Sequence, residues 1–133
     1  MHYLFESIYI GLYTSFIYLI IHFFIQNQLL LPFFIGFFKH IFGYLFSLHT
    51  YYCNYGYACQ NNKTKITKLN ENITSLIIES FGEGILFMIL SFLFYKFIKI
   101  KIILYFFIGL FLHLLFEYLG IHKYFCKYKC ISN

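Results

Sequence analysis

At 133 residues, 61% of them hydrophobic and 11% charged, the chain is too apolar for a soluble domain of its length and has the composition of a membrane protein. Its formal net charge of +5 is carried by lysine, mostly outside the apolar runs, which suits anionic headgroups. No basic block alternates with aromatics as a nucleic-acid surface would, so no nucleic-acid partner is expected.

Tyr3 to Ile25 is an almost unbroken apolar run, long enough to cross a hydrocarbon core of about 30 Å and too long for a signal-peptide core. It predicts a first transmembrane helix over about 3–25 that stays in the mature protein. Gln26-Asn27-Gln28 breaks the run, and Pro32 stands near the start of the next, where a missing N–H costs a helix least. The second span is expected over about 29–49, ending in Tyr51, Tyr52 and Tyr55, rings suited to a membrane boundary. A polar connector over 60–72 follows. A third span is expected over about 73–97, then a turn carrying Lys96, Lys99 and Lys101, a fourth span over about 102–121, and a short cysteine-containing tail.

The second half restates the first. Glu6-Ser7, Gly11, Gly36, His40, His49 and Cys53 return as Glu79-Ser80, Gly84, Gly109, His113, His122 and Cys126, each 73 residues later with no gap. Polar residues and glycines repeating in register point to a tandem duplication. The expected fold is an all-α membrane protein of four transmembrane helices, as two tandem-duplicated helical hairpins over 1–59 and 73–133. Two spans per repeat put both termini and the connector on one side, the cap face. The lysines there, Lys63, Lys65, Lys68, Lys123, Lys127 and Lys129, favour a cytoplasmic cap. The sequons Asn62-Lys63-Thr64 and Asn72-Ile73-Thr74 argue the other way.

A charged group at a helix centre costs about 2.5–3.5 kcal/mol on insertion scales, so intramembrane charges mark sites. Gly109, His113, Glu117 and Gly120 share one face of the fourth span; Gly36, His40, Tyr44 and Ser47 share one face of the second; Glu79 and Glu83 lie one turn apart in the third. A continuous helix would put His40 and His113 roughly 13.5 Å deeper than His49 and His122. The pattern predicts an intramembrane polar cluster of Glu6, His40, Glu79, Glu83, His113 and Glu117. Two readings apply: hydrogen bonds that lock helices together, or a proton or cation relay.

All four cysteines fall on the cap face, as His49-x3-Cys53-x5-Cys59 and His122-x3-Cys126-x3-Cys130. A fourth helix continuing past the membrane would align His122, Cys126 and Cys130. The sets admit disulfides in an oxidising compartment, a Zn²⁺ site in a reducing one, or free thiols. No cofactor is otherwise expected.

The stretch from Leu112 to Cys126, echoed by Leu48-His49-Thr50-Tyr51-Tyr52-Cys53, resembles segments of small uncharacterised membrane proteins of large double-stranded DNA viruses. The resemblance implies a virion or host membrane and carries no catalytic residues. No nucleophile and base pair, phosphate loop or paired-carboxylate constellation supports an enzyme. The expected function is that of a non-enzymatic integral membrane protein, structural or assembly-related. Its expected partners are the lipid bilayer and a membrane or virion protein or a second copy. The alternative is a small proton or cation conductor.

Overall fold

The computed structural model describes residues 2–62, 67–69 and 72–132, and the side chains of 3–59 and 72–130. Its long elements are helices: α1 (His2–Ile21), α2 (Leu31–Leu45), α3 (Leu48–Tyr55), α4 (Ile73–Phe94), α5 (Lys101–Leu119) and α6 (Ile121–Tyr128). A 3₁₀ turn over Tyr57–Asn62 follows α3, and two three-residue strands, β1 (Thr67–Leu69) and β2 (Cys130–Ser132), pair antiparallel with Leu69 opposite Cys130. Helices α1, α4 and α5 are each long and apolar enough to cross a membrane.

The helices are shorter than the apolar runs that encode them. Helix α1 stops at Ile21 rather than Ile25, and His22 Nδ1 lies 2.8 Å from the Leu19 carbonyl in the turn that follows. Asn27 Oδ1 accepts from the backbone N–H of Leu29 at 2.9 Å, which holds the turn before α2 and delays its start to Leu31. Helix α4 stops at Phe94, not Phe97, with Asn72 as its N-cap, the side chain accepting from Thr74 N–H at 2.9 Å.

The expected second span is not one helix. It ends at Leu45, and α3 leaves at 70° to α2 after Ser47, whose φ of 60° lies in the left-handed region. The fourth span breaks likewise at Gly120, φ 79°, so α6 does not continue α5. Positions 47 and 120 are 73 apart. Glycine takes this conformation freely, whereas a side-chain-bearing residue is disfavoured there by roughly 1–2 kcal/mol. At both breaks the residue's N–H bonds the carbonyl three back, Tyr44 at 3.1 Å and Glu117 at 3.3 Å.

Each long helix finds its main neighbour in the other half of the chain: α1 packs on α5 and α2 on α4, while consecutive helices touch far less. Glycine permits this. A Cβ on Gly11 would meet the Phe106 carbonyl oxygen at 2.9 Å, and its counterpart on Gly84 would meet the Phe33 carbonyl oxygen at 2.8 Å. A Cβ on Gly36 would come within 2.8 Å of the Glu83 carbonyl oxygen, and one on Gly109 within 2.8 Å of Thr14 Cβ. Backbones therefore touch at both crossings. Below them, Leu31 and Ile35 of α2 and Leu104 and Ile108 of α5 fill the apolar centre. Ser7 and Ser80, both fully buried, return their hydroxyls to the Tyr3 and Leu76 carbonyls at 2.7 Å.

Gly82 supplies the control, since nothing lies within 4 Å of a Cβ placed there. Gly84→Leu should destabilise the α2/α4 crossing by about 2–3 kcal/mol through overpacking. Gly82→Ala should be neutral or gain up to ~1 kcal/mol of helix propensity. Denaturant titration in detergent, followed by circular dichroism, measures both.

Candidate functional site: two buried carboxylate–imidazole clusters

The two left-handed breaks fold the cap helices back onto the bundle. His49 comes to rest on His40 with ring centroids 4.8 Å apart, and His122 on His113 at 4.4 Å. The depth separation expected from continuous helices is thereby abolished. Each deep imidazole also meets a carboxylate from the other half of the chain: His40 Nε2 stands 3.4 Å from Glu79 Oε2, and His113 Nε2 stands 3.4 Å from Glu6 Oε2. Both pairs lie within ion-pair reach, and the His40–Glu79 approach makes no hydrogen bond. Opposite these sites, Phe125 presents its ring to His49 at 5.9 Å and Tyr52 presents its ring to His122 at 5.4 Å. Tyr52 and Phe125, themselves 73 residues apart, meet at 5.8 Å.

The halves then diverge in charge. Around His40, Glu83 is bonded by Lys39 Nζ and lies 2.8 Å from His40 Nδ1, while Lys129 Nζ reaches Glu79 at 3.1 Å and Ser75 at 2.6 Å. Two lysines therefore stand beside the two carboxylates there, in addition to the imidazole. Around His113, Glu117 Oε2 lies 2.8 Å from His122 Nδ1, and Glu6 Oε1 accepts from the Tyr57 backbone N–H at 2.6 Å. Glu6 and Glu117 have no lysine beside them among the described residues, where their ion-pair partners are the two imidazoles. Burial and the neighbouring His113 push the His122 pKa down, with Glu117 pulling the other way.

All four cysteines form disulfides, Cys53–Cys130 and Cys59–Cys126. Each joins one half of the chain to the other and closes a loop of more than sixty residues, the sequence separations being 77 and 67. The expected alignment of His122, Cys126 and Cys130 along one helix does not form, because α6 ends at Tyr128 and Cys130 opens β2. With every sulfur oxidised, none is a thiolate ligand, and no His/Cys/Asp/Glu group among the described residues converges on a metal position.

The sequence-predicted residues therefore fall into two clusters rather than one layer. Glu79, Glu83, His40 and His49 gather between α2, α3 and α4; Glu6, His113, Glu117 and His122 gather between α1, α5 and α6. Sequence reasoning gave no site role to Lys129 or the Tyr57 N–H. The tail position of Lys129 held no hint of its path back to Glu79. No protein family, curated protein or solved structure matches the chain.

Removing one member of a buried ion pair leaves the other charge uncompensated, at a cost of about 3–5 kcal/mol. Lys39→Met should destabilise the fold by that order, and the double variant Lys39→Met/Glu83→Gln should recover much of the loss in the same detergent titration. Peptide mapping without reductant should return Cys53 linked to Cys130 and Cys59 linked to Cys126. Pairs within a half, Cys53 with Cys59 or Cys126 with Cys130, should be missing.

Proposed function

We propose that the chain is a non-enzymatic, multi-pass integral membrane protein with a structural or assembly role, built by tandem duplication and crossing the bilayer four times, with α2 as the second span, leaving the bilayer near the bend into α3. The observation that carries this reading is the apolar outer surface of the long helices. Leu12 and Phe16 of α1, Phe81 and Phe92 of α4 and Phe107 and Phe111 of α5 are all exposed. Such side chains on helices of this length are covered by lipid. A scaffold role is supported by cross-half glycine contacts, ion pairs and two disulfides, which favour a rigid unit over a moving one. The resemblance of Leu112–Cys126 to viral membrane proteins supports a virion or host-derived membrane.

Disulfides persist where the compartment is oxidising, so the cap belongs on the non-cytosolic side, against the cytoplasmic cap expected from its lysines. The turn with Lys96, Lys99 and Lys101 then meets the positive-inside rule from the other face. Side chains of Lys63, Lys65, Lys68 and the sequon at Asn62 lie outside the described residues.

One observation favours conduction as a second reading: the α1/α5 cluster, where among the described residues two carboxylates meet imidazoles and no lysine. The two readings separate in liposomes. As a scaffold, wild-type protein should leave proton flux no higher than in empty vesicles. As a conductor, it should raise flux, and Glu117→Gln should abolish the increase while folding normally. Reporters fused at residues 1 and 133 should both report the non-cytosolic side; opposite sides would end the four-span topology.

A further inference from the structure

The outer faces of the two cap helices carry a pattern that neither cluster uses. On α3, Tyr51 and Tyr55 stand side by side with ring centroids 4.8 Å apart; on α6, Tyr124 and Tyr128 do the same at 4.5 Å. All four rings are more than half exposed, and the two pairs are 73 residues apart. The residues at the breaks repeat as well, Leu45-Phe46 before α3 and Tyr118-Leu119 before α6, again all exposed. Exposed apolar residues thus lead along the chain to each break, and a tyrosine pair stands on the helix beyond it.

We propose that α3 and α6 are interfacial helices, and that the pairs Tyr51/Tyr55 and Tyr124/Tyr128 seat the cap in the headgroup layer at one common depth. The inference rests on the membrane reading above. Three features identify lipid as the occupant. The tyrosines follow along the chain from exposed apolar residues of the helices read above as lipid-covered. Tyrosine combines an apolar ring with a hydroxyl that needs water or headgroup oxygen, the requirement of a membrane interface. Helix α2, of 15 residues, extends only about 22 Å at 1.5 Å per residue, so the bilayer boundary on this side falls near the bend, and a helix leaving at 70° runs along that boundary. Helix α6 adds exposed Lys123 and Lys127, the latter with its ammonium 5.3 Å from the Tyr128 ring centre, placed for anionic headgroups. Its counterpart α3 has Thr50 and Asn54 at those positions.

The chain contains no tryptophan, so single substitutions give unique fluorescent reporters. Tyr51→Trp, Tyr124→Trp and, as a reference on mid-α4, Phe92→Trp are each reconstituted in phosphatidylcholine/phosphatidylglycerol vesicles. Lipids brominated near the headgroup or deep in the acyl chain, and iodide in the buffer, then quench the emission. The expected result is strongest loss with shallow bromine, of similar size at positions 51 and 124, and strongest loss with deep bromine at position 92. Quenching at 51 and 124 by iodide alone, with position 92 still quenched by lipid, would overturn the interfacial platforms and leave the membrane reading intact. Insensitivity to both quenchers at 51 and 124 would assign the tyrosines to a contact with another protein copy and overturn it equally. Loss of lipid quenching at position 92 as well would remove the membrane reading and this inference together. Tyr55→Trp and Tyr128→Trp provide a second pair should either first substitution disturb the disulfides, and a different depth on the two helices would refute a common seat.

Discussion

Backbone contact across two helix crossings is the constraint from which the remainder of the structure follows. In lipid no hydrophobic gain draws one apolar helix to another, so association depends on close van der Waals approach and on polar groups meeting across the interface. Gly11 and Gly109 allow the first crossing, Gly36 and Gly84 the second. Only at that separation can Glu6 reach His113 and Glu79 reach His40, because the carboxylates and imidazoles project from facing helices one turn above the glycines. Larger residues at the crossings would push these charges apart within an apolar medium.

The polar layer is held from above as much as from the sides. Folding α3 and α6 back at Ser47 and Gly120 lays His49 and His122 over the deep imidazoles, and the disulfides tie the same short helices to the opposite half. Charges that would be costly on an isolated helix thereby acquire partners from facing helices. The halves solve this differently: lysine stands beside the carboxylates of α4, while for those of α1 and α5 the ion-pair partners among the described residues are imidazoles.

Much of this was legible in the sequence, since the 73-residue register identified Glu6, Glu79, His40, His113, Cys53 and Cys126 before any geometry, and apolar runs marked the long helices. Two things were not. The helix breaks were hidden because Gly120 and Ser47 also read as small residues on an interfacial face; hydropathy does not register a change in the sign of φ. The pairing across halves was hidden because sequence adjacency favours neighbours, and short connections suggest hairpins. The preference for α1 with α5 is decided by where glycine removes the Cβ. That is a matter of matching surfaces between distant segments.

The cross-half arrangement has a consequence for how such a molecule comes to exist. The glycine contacts that α1 makes with α5 are echoed by those between α4 and α2, so two separate copies of a single half could meet through the same surfaces. Under the duplication proposed above, the chain is equivalent to a homodimer whose subunits have been joined end to end. Under the membrane reading proposed above, synthesis also carries a period of exposure: Glu6, Lys39 and His40 would enter the bilayer before α4 and α5, which hold their counter-charges, have been made. A first half inserted in that way would hold these charges without their partners until its own second half arrives.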